Sequence, residues 1–419
     1  MKQKIEKLLI LMILVFTIFA VPSFADDELK LGSESAILID NTTGKVLYSK
    51  NAEEKKYPAS TTKILTAILA IENCSLDDIV TANYEAISMV PAGYSVAELQ
   101  VGEQLTVEQL VEMLLINSAD DAANVLAMHI SGSIENFASL MNNKATDLGC
   151  TNTNFTNPSG KHDKEHYTTA HDLAKIMQYC MKNETFRKIS GNKSCIIPST
   201  NKYEERVYTN TNELLVVATR NDASNYYYQY AIAGKTGYTS QAKNCLVACS
   251  SKDNFELTSV VLGAGQDYRG LSYRFLDTKN LFEYGYNTYT IKKIRDAGAI
   301  AKQIEVPNAT QNTKDLDLII ENDIIAVIKQ SEMNDVILPD IKIIDNLSAP
   351  ISENDFIGTI TYSIDGVDYT SNLKASHLVK KFNPIFIIIQ LILIAVLLFL
   401  IVKIFKAKRP KKLRAKYIY

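Results

Sequence analysis

A serine precedes a lysine by three positions in Ser60-Thr61-Thr62-Lys63, and on a helix that spacing puts both side chains on one face. A serine hydroxyl becomes a good nucleophile only when a base takes its proton, and a lysine can be that base only when neutral. Burial and a place in the first helical turn both push a lysine toward the neutral form. The spacing alone is weak, since it recurs at Ser190/Lys193, Ser199/Lys202, Ser240/Lys243 and Ser371/Lys374. Only the copy at Ser60 sits just after a proline, Pro58, and opens a long apolar stretch with Ile64, Leu65, Ile68, Leu69 and Ile71. The plainer reading is that Ser60 caps a helix.

Lys235-Thr236-Gly237 occurs once, inside a strand-like run. There a lysine and a hydroxyl can jointly hold a carboxylate, and the glycine lets a substrate backbone come close. A phosphate loop is excluded, because Gln229 stands where that motif needs its first glycine. Ser118-Ala119-Asp120 lies between the two elements. Serine-x-x-lysine, serine-x-asparagine and lysine-threonine-glycine, in that order, form the signature of penicillin-binding proteins and serine β-lactamases. The first and third elements match fully, and the second matches in its serine.

The flanking sequence resembles the low-molecular-mass penicillin-binding proteins of the serine D-alanyl-D-alanine carboxypeptidase family. The stretches that carry the resemblance are Ile37 to Asp40 with Gly44 to Tyr48, Pro58-Ala59-Ser60, Asn157 to Gly160 with His166 and Asp172, Asn210-Thr211-Asn212, Gly234 to Thr239, and Tyr284-Gly285-Tyr286. The resemblance implies an α/β transpeptidase/β-lactamase-like fold, an antiparallel sheet flanked by helices, with the site between the sheet and a helical subdomain. It implies that Ser60 attacks the carbonyl between the two terminal D-alanines of a peptidoglycan stem peptide, assisted by Lys63. Ser118 relays a proton to the leaving D-alanine, and Lys235 with Thr236 and Gly237 holds its carboxylate. The backbone N–H groups of Ser60 and Tyr238 meet the oxyanion. Arg274, ten residues before Tyr284, is carried over as a further carboxylate contact, with a surface ion pair as the competing reading. His166 and Asp172 read as structural hydrogen-bonding residues. β-Lactams are the expected inhibitors, and no cofactor or metal is implied.

Asp120 departs from the pattern, since relatives usually carry asparagine there. An amide can donate to substrate and an ionised carboxylate cannot. The bland alternative is that Asp120 caps the next helix. A β-lactamase of the large class with a Glu-x-x-Leu-Asn loop is disfavoured because no such sequence occurs. The remaining rivals are a DD-endopeptidase and a catalytically weakened wall-binding module.

The elements that position these residues are also visible. Ala36 to Ile39 and Lys45 to Ser49 read as strands around the turn Asn41-Thr42-Thr43-Gly44. A capping box, Thr106 to Gln109, opens a helix carrying Leu110, Met113, Leu114 and Ile116. Further helices are expected at 134–148 and 170–182, and Tyr230 to Gly265 reads as two strands around a turn at Ser251 to Asn254. Beyond about residue 296 short β-like runs take over, with a hairpin signal at Asp365-Gly366. The expected organisation is a catalytic domain over 26–295 and a small all-β domain over 296–375.

Lys2, Lys4 and Lys7, the apolar run Leu8 to Val21 and Ser23-Phe24-Ala25 form a signal-peptide pattern over 1–25. Ile385 to Val402 is a transmembrane helix candidate, followed by a basic tail over 403–419. That excess of basic residues puts the C-terminus inside and the catalytic domain on the extracytoplasmic side of the cell membrane. With both ends set aside the ectodomain is acidic, which argues against nucleic acid. The six cysteines lack metal-ligand spacing and read as buried free thiols.

Overall fold

The computed structural model describes residues 29–217, 226–334 and 336–407. The signal-peptide pattern and the tail beyond residue 407 lie outside them. The chain divides into two compact units, Met1–Thr288 and Tyr289–Tyr419.

In the first unit, β1 (Ser35–Asp40) and β2 (Val46–Lys50) form the expected hairpin. Two short hairpins follow, β3 (Ile79–Thr81) with β4 (Gln104–Thr106) and β5 (Ser194–Ile197) with β6 (Arg206–Thr209). The main sheet is completed by β7 (Ala231–Thr239), β8 (Lys243–Lys252) and β9 (Phe255–Ala264) in the antiparallel order β2-β1-β9-β8-β7. Where the sequence suggested two strands over 230–265 there are three. The extra break falls at Ser240 to Ala242, where the Thr239 hydroxyl accepts the Ala242 N–H at 3.0 Å. The second turn is where expected, with Asp253 and Asn254 both left-handed at φ +52° and +64°, as a two-residue hairpin demands. Residues 245–250 of β8 are buried without interruption. Such a run marks a strand covered on both faces, which explains why the sequence reads as continuously apolar there.

The helices that frame the site are α1 (Lys63–Asn73), α2 (Val107–Glu112), α3 (Asp120–Ser131), α4 (Ile134–Asp147), α5 (Ala170–Cys180), α6 (Glu184–Gly191) and α7 (Tyr273–Thr288). Every residue of α1 from Lys63 to Ala70 is buried. It is a central helix apolar on all sides, against which α3, α5 and α6 pack. The capping box at Thr106 and Gln109 is present in full. The helix it opens does not continue regularly, because Met113–Asn117 widens into a π turn that ends on Ser118 in the left-handed region, φ +67°.

Among its described residues the second unit is all β apart from a 3-10 turn and its last helix. β10 (Tyr289–Arg295) pairs with β13 (Ile324–Lys329). β11 (Ile300–Glu305), β12 (Asp315–Ile320), β14 (Asp340–Ile343), β15 (Phe356–Ile364) and β16 (Val367–Ala375) form a sheet ordered β11-β12-β16-β15-β14. The chain passes between units after Thr288, where the sequence suggested residue 295, because β10 is committed to β13. Asp365 and Gly366 make the anticipated turn, both at positive φ, between Ile364 and Val367. Leu316, Leu318, Ile360 and Leu373 centre its core.

The backbone of α8 (Pro384–Ala407) runs 24 residues. Its described side chains are unbroken only from Ile388 to Ile404, and among the described residues no helix is long and apolar enough to cross a membrane. All six cysteines are free, and all but Cys74 are buried.

Candidate active site

Ser60 lies in a 3-10 turn, Ala59–Thr62, that runs directly into α1, whose first residue is Lys63. The sequence placed Ser60 in the α-helix itself. The tighter turn serves the same purpose, because residues three apart eclipse each other in it. Lys63 Nζ donates to Ser60 Oγ at 2.9 Å, to the Ser159 carbonyl at 2.8 Å and to Asp120 Oδ1 at 2.6 Å. Three donors with three acceptors is the arrangement of an ammonium ion. The side chain is entirely buried, and its carboxylate partner nearly so.

The turn is held from behind by the loop Asn157-Pro158-Ser159-Gly160. Asn157 Oδ1 accepts the N–H groups of Ser159, Gly160 and Lys161, which aims the Ser159 carbonyl at Lys63. Ala59 itself is left-handed at φ +50°. A Cβ on Gly160, at φ +83°, would fall 1.8 Å from the Ala59 carbonyl oxygen. Only glycine allows that approach.

Ser118 is brought to the same cleft by the π turn, with its hydroxyl free of hydrogen bonds among the described residues. Asp120 opens α3, but the residue at the cap position is Ala119 and no side chain caps the helix. The capping reading of Asp120 therefore does not hold, since its carboxylate turns to Lys63. The neighbouring Asp121 accepts the N–H groups of Ala97 and Leu99 at 2.9 and 3.0 Å. Burial raises its pKa, partly offset by those bonds. Sequence reasoning missed this residue, which anchors the 93–99 segment forming one cleft wall.

The opposite wall is β7, the edge strand of the sheet, with no strand paired on its outer side. Gly237 lies against the nucleophile turn, and a Cβ there would come within 3.0 Å of Ser60 N. Thr236 Oγ1 shares a hydrogen bond of 2.7 Å with Thr211 Oγ1. Lys235 is 1% exposed and donates to the Thr236 carbonyl at 3.1 Å. Burial, then the nearby Lys63 and Arg274, hold its pKa well below the usual lysine range. Arg274 donates to the Gly237 carbonyl at 3.4 Å and makes no ion pair among the described residues.

Ser60, Ser118, Asp120, Thr236, Gly237, Tyr238 and Arg274 line one cleft of about 440 Å³, with Lys63 and Lys235 buried beneath it. Apart from Asp120 its lining offers no strong metal or cofactor ligand. Tyr94 and Ser95 also line it and carry no motif that would single them out, and Thr211, from the Asn210-Thr211-Asn212 stretch, joins them. His166 is structural as expected. Its Nδ1 accepts the Thr156 N–H at 3.0 Å, and Nε2 meets the Thr62 hydroxyl at 2.9 Å. Asp172 takes the Asn152 N–H and the Thr153 hydroxyl.

The arrangement suits acyl transfer: a serine beside a lysine, the Lys235 and Arg274 donors for a carboxylate, and an edge strand for an extended peptide. Residues 23–266 match the D-alanyl-D-alanine carboxypeptidase family model, and 289–381 match that of the penicillin-binding protein 5 C-terminal domain. The chain is 34% identical to the D-alanyl-D-alanine carboxypeptidase DacF of Bacillus subtilis, over 87% of this chain and 91% of the relative. It is 31% identical to DacA of Haemophilus influenzae, over 83% and 85%. Penicillin binding protein 5 from Haemophilus influenzae superposes with a TM-score of 0.67 at 27% identity, covering 84% of this chain and 98% of that one.

Proposed function

The chain belongs to the D-alanyl-D-alanine carboxypeptidase family, and from that membership we propose how its cleft works and where the protein resides. It is a serine-type D-Ala-D-Ala carboxypeptidase of the penicillin-binding kind, acting on peptidoglycan peptides. Once Lys63 has given up its extra proton to solvent, Ser60 Oγ bonds to the carbonyl carbon of the penultimate D-alanine while the hydroxyl proton passes to the neutral Lys63 amine. The C–N bond then breaks, and Ser118 relays a proton to the departing D-alanine. Water later cleaves the Ser60 ester and frees the shortened peptide. Backbone N–H groups of Ser60 and Tyr238 hold the oxyanion, and Lys235, Thr236 and Arg274 hold the terminal carboxylate.

The observation that carries this reading is the 2.9 Å hydrogen bond from Lys63 Nζ to Ser60 Oγ, at the floor of a cleft walled by Thr236 and Gly237. Replacing Ser60 by alanine removes the attacking oxygen and almost no packing. The Ser60→Ala protein is expected to fold, to resist labelling by fluorescent penicillin, and to release no D-alanine from a pentapeptide. A penicillin adduct on that variant, seen by mass spectrometry, would overturn the assignment.

One observation favours a slower enzyme as the second reading. The Asp120–Lys63 ion pair occupies the base at rest, so a weakened module remains the alternative that the Asp120 variant below decides. A DD-endopeptidase would differ in the muropeptides it consumes.

The leader over residues 1–25 exports the protein, and α8 anchors it by its C-terminus. A helix of 24 residues is about 36 Å long, against about 30 Å of hydrocarbon. Its described apolar side chains are exposed from Ile388 to Val402, which suits a lipid surround. Lys403 and the basic residues after it then face the cytoplasm.

A further inference from the structure

Away from the cleft, three side chains with metal-binding chemistry converge. Cys74 caps the C-terminal end of α1, Asp78 closes the turn that follows, and His129 sits in the last turn of α3. The Cys74 Sγ, an Asp78 carboxylate oxygen and a His129 ring nitrogen all lie within 4.8 Å of one another, the only such trio among the described residues. We propose that Cys74, Asp78 and His129 bind a thiophilic divalent cation of the zinc type, with water as fourth ligand.

Three protein donors plus an open position is a recurrent tetrahedral zinc arrangement. Bonds of about 2.3 Å to sulfur and about 2.0 Å to nitrogen and oxygen bring donor atoms about 3.3 to 3.6 Å apart. Cys74 is half-buried and the other two are exposed, so side-chain shifts of about 1 Å gather them. The surroundings favour a cation independently of the ligands. Both α1 and α3 end here, and the carbonyl ends of two helix dipoles concentrate partial negative charge. The turn is also rigid. Val107 N–H and Glu108 N–H each donate at 3.0 Å, to the Asp78 and Leu76 carbonyls. Ser75 N–H fixes Asp78 Oδ2 at 2.9 Å and leaves Oδ1 for the ion, the kind of outer contact that orients a ligand. The His129 ring has no hydrogen bond among the described residues.

The site has a structural consequence. α1 begins at Lys63 and α3 at Asp120, joined there by their ion pair, while the proposed cation ties the opposite ends of the same two helices.

Cobalt(II) titration of the full chain in detergent tests this. A thiolate-to-cobalt charge-transfer band and tetrahedral d–d bands should grow to one equivalent, vanish on adding zinc, and be absent from Cys74→Ser and His129→Ala proteins that still label with fluorescent penicillin. The other five thiols are buried, so the Cys74→Ser comparison isolates this sulfur. No charge-transfer band with cobalt in excess, or a band that survives either substitution, would overturn the proposal.

Discussion

His166 couples acidity to the stability of the catalytic turn, and replacing it with glutamine should make that coupling visible. Burial lowers its pKa from 6.5 to about 3. The geometry agrees, because Nδ1 accepts the Thr156 N–H at 3.0 Å and cannot do so once it carries a proton. Nε2 then holds the hydrogen and donates to the Thr62 hydroxyl, immediately beside Lys63. Between pH 3 and 6.5 the unfolded chain binds a proton that the folded chain refuses. Stability is therefore complete above pH 6.5 and falls as the pH drops through that window. At pH 4 the loss attributable to this one ring is about 3 kcal/mol. Glutamine keeps an acceptor and a donor but does not titrate. Urea unfolding followed by tyrosine fluorescence, from pH 7 to 4, should show the wild type losing about 3 kcal/mol more than His166→Gln. Parallel losses in the two proteins would refute the claim that His166 is held neutral.

Three further outcomes follow from the cleft. Lys235→Gln should lower kcat/KM on free-carboxylate peptides about 100-fold, the scale of one charge-assisted hydrogen bond, with little change in stability; equal loss on an amidated peptide would contradict the carboxylate role. Gly160→Ala should abolish penicillin labelling and lower the melting temperature, since its Cβ would sit 1.8 Å from the Ala59 carbonyl oxygen and its φ is strained for any side chain, together costing about 3 kcal/mol or more. Asp120→Asn removes the carboxylate bonded to Lys63 and restores an amide donor; stopped-flow acylation by penicillin should speed up about tenfold near neutral pH, and an unchanged or slower rate would mark Asp120 as a native part of a tuned site.

Much of the site was legible because its chemistry is written in ordered motifs. Ser60, Lys63, Ser118, Lys235 and Thr236 are distant in sequence yet meet around one cleft. The strands at 35–50 and the turns at Asp253-Asn254 and Asp365-Gly366 were legible for a different reason: turn residues and alternation act locally. The break after Thr239 was not, since its turn is closed by the Thr239 hydroxyl on Ala242 and by Lys243 at positive φ, without the Asn-Gly or Asp-Gly pair that marks a hairpin in sequence. Asp120 was legible as the one departure from the signature, with pairing to Lys63 and helix capping both open. First-turn acids usually cap or complement a helix, and only the approach of α1 to α3 shows that this one answers Lys63 instead.

The backbone features that aim the chemistry were the least legible, and the reason is energetic. Ala59 and Ser118 both sit at positive φ, a conformation that costs a non-glycine residue about 1 to 3 kcal/mol. Nothing in their own sequence favours it. The π turn at Met113–Asn117 delivers Ser118 to the cleft, although its residues, Met-Leu-Leu-Ile-Asn, are ordinary helix formers. These distortions persist because the surroundings over-determine them. Met113, Leu114, Leu115 and Ile116 are buried, while Gly160 and Gly237 press against the Ser60 turn from two sides. The strain thus belongs to the packing, so a sequence that keeps Ser60, Lys63, Ser118 and Lys235 but loses either glycine should retain the catalytic side chains and lose their alignment.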